Sequence, residues 1–318
     1  MHSVRHGPAT RSIETATVLA GTSYHKRASI IDRPMQRLQD GSSDASGRQS
    51  CATYRSGRSC RRAVASGTSV RCAAVTGDPW CDDVAVTRLV LWDIDGTLLD
   101  AAGFGWRLTQ RAYLEVCGSP LATRVALAGR TDRSIHLELL AANGRDDSDL
   151  AALCDAIGFL AETSRDDLYA GGGRALPGAL ETMAVLSAQP GVVQSVLTGN
   201  LRSLGLVKLG GFGLLDRLDL EVAAFGDDHV VRADLVNVAR ELFRARDGSA
   251  SLPDIVLIGD TPLDVAAARV SGVAIVAIAT GQYSVAELAA AGAPVVLSDL
   301  TDPDRVVAAV MGATPATL

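Results

Sequence analysis

The stretch LVLWDIDGTLLD, residues 89–100, joins a run of apolar residues to two aspartates, Asp93 and Asp95, at the point where the run ends. A continuous apolar run with β-branched members is typical of a strand that is buried on both faces. Two carboxylates this close repel each other, and burying either one is costly unless it is paired or binds a metal. The stretch therefore predicts a buried strand with a charged site at its carboxyl end.

Strands and helices alternate along most of the chain that follows. Further strands are predicted at residues 192–198, 218–225, 254–260, 272–279 and 293–298. Helical patterns lie at residues 178–189, 200–210, 231–246, 262–271 and 284–291. This alternation predicts an α/β fold with a doubly wound parallel sheet, in which binding sites form at the carboxyl ends of the strands.

One segment, residues 101–173, interrupts the alternation and contains only helical patterns, at 105–117, 133–143 and 148–170. We predict that it forms a small α-helical cap, inserted after the first strand and able to act as a lid. Residues 84–100 and 174–318 then form the α/β core.

The first 83 residues differ in composition from the rest of the chain. They hold 12 Lys and Arg against 7 Asp and Glu, with weak periodicity, and we predict a low-complexity, disordered extension. A targeting leader and a basic tail that recruits a partner are the alternatives. Four cysteines, at positions 51, 60, 72 and 81, are spaced too widely for the close pairs of zinc sites. We expect reduced thiols and a cytoplasmic protein.

Charge narrows the class of partner. The whole chain has a net charge of −6, so the part after residue 83 carries −6 − 5 = −11. An acidic body argues against nucleic acid as the main partner. No apolar run reaches the roughly 18 residues that a membrane span needs. The expected partner is therefore a small soluble molecule.

Polar residues follow three of the predicted strands, at 93–97, 198–200 and 259–264. The carboxyl ends of parallel strands share one edge of the sheet, so these residues are expected to meet there. Asp93, Asp95 and Asp260 would repel one another, and a bound Mg²⁺, which prefers hard oxygen ligands, would offset that repulsion.

The same strand ends hold residues suited to an anion. Gly96 and Gly199 let backbone N–H groups approach a phosphate, and Thr198 adds a hydroxyl where a helix begins. A metal, a carboxylate and an anion cradle together suggest phosphoryl transfer by in-line displacement. One aspartate would be the nucleophile and the other a general acid.

The motifs DxDGT, TGN and GDTPxD, in this order and each after an apolar strand, resemble those of the haloacid dehalogenase-like (HAD) hydrolase superfamily. Within it, the chain is similar to the phosphoglycolate-phosphatase-like branch with a helical (C1-type) cap. The resemblance covers about residues 87–300. It implies a Rossmann-like core and a Mg²⁺-dependent phosphatase that hydrolyses a small phosphomonoester through an aspartyl-phosphate.

The resemblance also implies roles for single residues. Asp93 would attack phosphorus, and Asp95 would protonate the leaving alcohol and then activate water. Mg²⁺ would be held by the Asp93 side chain, the Asp95 carbonyl and Asp260, while Asp264 would order a metal-bound water or the neighbouring backbone. The motif residues implied to contact substrate are Gly96, Thr97, Thr198, Gly199 and Asn200.

The chain departs from the superfamily pattern at the cation that binds phosphate. That cation is normally a lysine in a K-P-x-P stretch, but residues 225–235 contain no lysine. We predict that Lys208, the only lysine of the body, takes this role, with Arg232 as the alternative. Arg130 lies in a cap loop similar to the G-K/R-T-D loop of this branch, and we hypothesise that it contacts the substrate.

Two other functions stay open. A sugar-phosphate mutase of the same superfamily would share the core chemistry. A catalytically inactive, HAD-like binding protein is the second alternative, and the displaced lysine is the feature that leaves room for it. Asp95 argues against a dehalogenase, which does not need the second acidic residue.

Overall fold

The computed structural model describes residues 88–247 and 253–315. Its strands are, in chain order, β1 (Arg88–Trp92), β2 (Leu99–Asp100), β3 (Arg174–Ala175), β4 (Val192–Val196), β5 (Asp254–Gly259), β6 (Ala274–Ile278) and β7 (Val296–Leu297). Its helices are α1 (Phe104–Cys117), α2 (Asp132–Ala142), α3 (Leu150–Thr163), α4 (Asp166–Ala170), α5 (Ala179–Ser187), α6 (Arg202–Gly211), α7 (Arg232–Asp247), α8 (Pro262–Val270), α9 (Val285–Ala290) and α10 (Pro303–Gly312).

Five parallel strands form the central sheet, in the order β4-β1-β5-β6-β7. Successive residues of a strand point to opposite faces, so β1 contributes to two hydrophobic layers. Leu89 and Leu91 pack in the layer that contains residues of α7 and α8. Val90 and Trp92 pack in the layer that contains residues of α5, α10 and the inserted helices. Apolar layers on both faces confirm the predicted doubly wound α/β fold.

The inserted helices α1 to α4 follow β2 and precede β3 in the chain, and these two strands form a two-stranded antiparallel ribbon. In this ribbon β2 pairs with β3, and Arg174 forms an ion pair with Asp100 at 3.0 Å. Two-residue strands are too short to show a sequence period, so the ribbon was not predicted. The single helix predicted over 148–170 is two helices, because the chain leaves helical geometry at Ser164. The predicted boundaries between core and cap stay predictions.

The prediction of a strand at 218–225 is wrong. This stretch contains a 3₁₀ turn at Leu220–Val222 and only an isolated bridge between Leu197 and Ala224. The Asp219 side chain accepts a hydrogen bond from the Glu221 N–H, and such a local contact competes with strand pairing. The apolar residues after it are nevertheless buried. The sequence period therefore indicated burial correctly and backbone geometry incorrectly.

Helix α10 was not predicted, and β7 is shorter than the predicted strand at 293–298. Within residues 88–247 and 253–315, no helix is both long and apolar enough to span a bilayer. The predicted extension over residues 1–83, with its four cysteines, lies outside the described residues. The two cysteines that the structure does describe, Cys117 and Cys154, are free thiols.

Candidate active site

The carboxyl ends of β1, β4, β5 and β6 open into a cavity of about 590 Å³ beneath the inserted helices. Ligand sites of open α/β sheets lie at this edge. Ten residues that the sequence analysis singled out line the cavity: Asp93, Asp95, Gly96, Arg130, Thr198, Gly199, Asn200, Lys208, Arg232 and Asp260. The structure therefore brings together most of the predicted site.

Three buried carboxylates form the floor of the site. Oxygen atoms of Asp93, Asp260 and Asp264 lie within 4.8 Å of one another. Burial raises the pKa of Asp93 to about 6, against the lowering effect of Arg232. Burial, together with Asp93 and Asp264, raises the pKa of Asp260 to about 8. Burial is thus the main reason why both carboxyl groups keep their protons to a higher pH than usual.

Two glycines make room for the Asp260 carboxylate. Gly96 has φ +81°, and a Cβ at this position would lie 2.5 Å from Asp260 Oδ2. A Cβ on Gly281 would lie 1.7 Å from the same oxygen. Side chains at these positions would displace the carboxylate, so the close approach of both loops requires glycine.

Arg232, which begins α7, supplies positive charge to the carboxylate cluster. Its Nη2 lies 2.9 Å from Asp93 Oδ1 and 2.6 Å from Asp264 Oδ1, at angles outside hydrogen-bond geometry. Its Nε has no acceptor among the described residues. Burial lowers the pKa of Arg232, but Asp264 and Asp93 outweigh burial and raise it. Arg232 is thus a fixed cation with donors that are not fully used.

Lys208 lies near the end of α6 and binds the second aspartate of the DxD pair. Its Nζ lies 2.6 and 2.8 Å from the two Asp95 carboxylate oxygens and 2.6 Å from Asn200 Oδ1. The Asn200 amide also donates to Asp95, at 2.7 Å. An ammonium group has three donors, so these contacts account for all of them. Lys208 therefore orients Asp95, whereas Arg232 contacts Asp93.

Thr198 is fully buried at the end of β4. Its Oγ1 accepts a hydrogen bond from the Asn200 amide at 2.8 Å, and Thr198 lines the cavity. Asn200 thus joins Thr198 to Asp95, and the TGN motif connects two strand ends. The structure gives Thr97 another partner, because its hydroxyl lies 3.3 Å from Asp260 Oδ1 and it does not line the cavity.

Asp264 also lies outside the cavity lining. Its Oδ2 accepts from the Thr261 N–H and hydroxyl at 3.1 and 2.6 Å, in a capping box at the start of α8. Its Oδ1 faces Arg232. With both oxygens occupied, Asp264 supports the cluster through Arg232 and α8.

A cap loop, residues 128–132, lies directly on the TGN motif. The Asp132 N–H donates to Gly199 O at 2.7 Å, and Asp132 Oδ2 accepts from the Leu201 N–H at 2.9 Å. A Cβ on Gly199 would lie 2.0 Å from Arg130 O. Thr131, the N-cap of α2, also donates to Val230 O at 2.6 Å. These contacts hold the cap loop against the core.

The Arg130 guanidinium has three partners among the described residues. It forms an ion pair with Glu138 at 2.6 Å and donates to Ala126 O and Ser134 O at 3.0 and 3.1 Å. Arg130 lines the cavity, and the hypothesis that it contacts the substrate stays a prediction.

Sequence reasoning did not assign several cavity residues to the site, among them Trp106, Thr280 and Gly281. Thr280 and Gly281 follow β6, and the Thr280 hydroxyl donates to Gly96 O at 2.5 Å. The rule that found Thr198 and Gly199, polar residues after an apolar strand, would also have found this pair. Trp106 carries no comparable signal, because its place at the cavity depends on how the cap meets the core. Asp132 belongs to the cap loop similar to G-K/R-T-D, from which the sequence analysis proposed only Arg130 as a substrate contact.

A divalent cation fits the carboxylate cluster. The donors are carboxylate oxygens, which suit Mg²⁺, and a bound cation would offset the cost of burying the Asp93 and Asp260 carboxylates, which their raised pKa values reflect. Asp93 and Asp260 would hold the ion, while Asp264 is engaged elsewhere. The Asp95 side chain points to Lys208, so any ligand from Asp95 would come from its backbone.

Mg²⁺ binding is expected to release about one proton per ion at pH 7, because Asp260, with its pKa raised to about 8, must ionise to bind. The number of protons released per ion should fall towards zero as the pH rises above 8. The raised pKa of Asp260 also makes stability depend on pH, because between pH 4 and 8 the folded protein holds a proton that the unfolded chain has lost. The free energy of unfolding of the metal-free protein should therefore fall as the pH rises from 4 to 8. Calorimetric titration in buffers of different ionisation enthalpy measures the released proton. Binding at pH 7 with no proton release would contradict the prediction.

A family model described as haloacid dehalogenase-like hydrolase matches residues 90–269. Among similar solved structures, a hydrolase from Pseudomonas syringae is 21% identical with a TM-score of 0.52, over 70% of this chain and 98% of that one. A predicted phosphatase from Clostridium acetobutylicum is 17% identical with a TM-score of 0.53, over 70% and 100%. A predicted phosphoglycolate phosphatase from Haemophilus somnus 129PT is 17% identical with a TM-score of 0.51, over 69% and 97%. No curated protein matches the chain.

Proposed function

Because this chain belongs to the haloacid dehalogenase-like hydrolase family, we propose that it is a Mg²⁺-dependent phosphatase that hydrolyses a small phosphomonoester through an aspartyl-phosphate. The observation that carries the proposal is the environment of Asp93. This buried carboxylate lines the cavity beside a second acidic group, Asp260, and a fixed cation, Arg232. A nucleophile, a metal site and a cation for phosphate thus share one wall of the cavity.

The proposed reaction uses the two aspartates in sequence. An Asp93 oxygen attacks phosphorus, the bond between phosphorus and the alcohol oxygen breaks, and Asp95 gives a proton to that oxygen. Water then attacks the phosphorus, Asp95 takes its proton, and the bond to Asp93 breaks to release phosphate. Bound Mg²⁺ would neutralise charge on the phosphate oxygens.

The contacts support different roles for the two cations, Arg232 and Lys208. Arg232 lies beside Asp93 and keeps unused donors, so we propose that it binds the phosphate oxygens. Lys208 donates to Asp95 and Asn200, so we propose that it positions Asp95, the group that transfers the proton. This assignment reverses the order of preference taken from the sequence.

The cap contacts favour a small substrate. The loop that carries Asp132 closes on the core through Gly199 and Leu201, which limits access for macromolecules. We propose a small phosphorylated metabolite as substrate, and the cytoplasmic location stays a prediction.

Phosphate release from p-nitrophenyl phosphate tests the proposal. We expect turnover with Mg²⁺, and its loss in excess chelator with recovery on adding Mg²⁺ back. Product analysis with glucose 1-phosphate separates the alternatives, because a mutase would yield an isomeric sugar phosphate without free phosphate. Folded protein that binds Mg²⁺ and releases no phosphate from any ester would contradict the proposal.

A further inference from the structure

The cavity is larger than the smallest phosphomonoesters need. At about 590 Å³ it falls in the range of sites that enclose drug-sized ligands. The phosphate would occupy the wall that holds Asp93 and Arg232. The remaining space lies towards the cap, where the side chains decide which leaving group fits.

Besides Arg130 and Asp132, the cap supplies apolar and uncharged side chains to that space. They include Phe104 and Trp106 of α1, Leu127 of the cap loop, and Ile135 and His136 of α2. His136 is buried, and burial lowers its pKa to about 4, so its ring is neutral at pH 7.

Each cation that lines the cavity within the described ranges already has an acidic partner. Arg130 pairs with Glu138 and Arg174 with Asp100. Lys208 pairs with Asp95, and Arg232 with Asp93 and Asp264.

Unpaired negative charge lies in the same space. The Asp132 carboxylate accepts a backbone N–H, and the residues that the structure describes offer it no ion pair. An added carboxylate would therefore be desolvated near negative charge and without a cation, which is unfavourable.

One polar donor in the cap lacks a partner. The Trp106 indole Nε1 is buried and has no hydrogen-bond acceptor among the described residues. The Arg124 guanidinium lies over its ring, 5.3 Å from the centroid, and does not line the cavity. A buried N–H without an acceptor is costly. Because Trp106 lines the cavity, a ligand oxygen that reaches this N–H would satisfy it.

Resting on the proposed phosphatase function, we propose that the cavity selects phosphomonoesters of uncharged, hydroxylated alcohols and rejects carboxylated ones such as phosphoglycolate. The Trp106 N–H donates to a hydroxyl oxygen of the leaving group. Selection arises because each cation among the described cavity residues already has an acidic partner, and because the Trp106 donor favours a hydroxyl oxygen.

Two matched pairs of esters test the selectivity, since each pair differs only in CH₂OH against COO⁻. They are 2-hydroxyethyl phosphate with phosphoglycolate, and glycerol 3-phosphate with 3-phosphoglycerate. We expect kcat/KM to be roughly tenfold or more higher for the hydroxylated member of each pair. Equal values, or a preference for the carboxylated members, would overturn the proposal.

Substituting Trp106→Phe keeps an aromatic ring and removes the donor. We expect the ratio of kcat/KM for 2-hydroxyethyl phosphate over phenyl phosphate, which has no hydroxyl group, to fall by up to about tenfold, mainly through KM. Leu114→Ala, an exposed position on the same helix, is the control and should leave the ratio unchanged. An unchanged ratio in Trp106→Phe would overturn the role of this donor.

Binding separates this proposal from the proposed reaction. The affinities of 2-hydroxyethyl phosphate and phosphoglycolate are measured by calorimetry with Mg²⁺ on Asp93→Asn protein, which should not turn them over. Tighter binding of the hydroxylated ester supports the selectivity even if the wild type hydrolyses neither ester. Hydrolysis of both esters with equal affinities would overturn the selectivity and leave the phosphatase function standing. Failure to bind either ester would overturn the selectivity.

Discussion

Asp93→Asn protein is expected to release phosphate at least about 10³-fold more slowly than wild type, while its free energy of unfolding without metal stays within about 1 kcal/mol. The amide has nearly the same shape as the carboxylate but cannot form the proposed phosphoryl-enzyme. Asp93 lies buried at the end of β1 and lines the cavity. Phosphate release is measured with p-nitrophenyl phosphate at saturating Mg²⁺.

The small expected change in stability follows from the charge of the cluster. Burial disfavours the ionised form of Asp93, as its raised pKa shows. A neutral amide therefore removes an unfavourable charge, although Arg232 loses one of its two acidic partners. The two effects have opposite sign. A large loss of activity with little change in stability would indicate a chemical role.

Asp254→Asn is the matched control, because Asp254 begins β5 with a largely exposed side chain and an ion pair to Arg88. Its activity should equal that of wild type. A rapid acid quench with ³²P-labelled substrate should leave label on wild-type protein and none on Asp93→Asn. If Asp93→Asn keeps more than a tenth of the wild-type rate, or carries label after the quench, Asp93 is not the nucleophile.

The sequence predicted the sheet well because its strands are buried on both faces and therefore read as continuous apolar runs. The strands β1, β5 and β6 have this property, whereas β4 includes two buried polar residues, Gln194 and Ser195. Residues 218–225 share the apolar pattern but not the geometry, since the local contact of Asp219 holds a turn there. The apolar pattern of a sequence therefore predicts which residues are buried more reliably than it predicts their backbone conformation.

The site was predicted as far as parallel strands determine it. Asp93, Thr198 and Asp260 meet because their strands end at one edge of the sheet. The partners of Lys208 and Arg232 depend on where α6 and α7 direct long side chains, and spacing along the chain does not determine that. The same limit applies to Asp132 and Trp106, whose surroundings are created when the cap packs on the core.

Replacing Arg232 by Met is expected to lower the free energy of unfolding of the metal-free protein by about 3–5 kcal/mol at pH 8. The change removes a buried cation from between Asp93 and Asp264 and leaves their charges without a partner. Arg232→Lys keeps the positive charge, so its free energy of unfolding should fall by less. Chemical denaturation in the presence of chelator measures both variants.

Arg244→Met is the control on the same helix, since Arg244 pairs with Glu241 at the surface and such pairs contribute about 0–1 kcal/mol. Saturating Mg²⁺ should recover part of the loss in Arg232→Met, because the ion neutralises the same cluster. Metal-free Arg232→Met protein as stable as wild type at pH 8 would contradict the interpretation that Arg232 holds these carboxylates.

The loss in Arg232→Met should also shrink as the pH falls from 8 to 5. Arg232 lowers the pKa of Asp93 in the wild type, so without Arg232 this pKa rises further and the folded variant binds a proton at pH values where the wild type does not. Protonation removes the buried charge at a pH where unfolded aspartates are still ionised, and it thereby stabilises the folded variant relative to its unfolded state. A loss that does not change with pH would mean that the methionine disturbs packing around α7, and that the missing charge is not the cause.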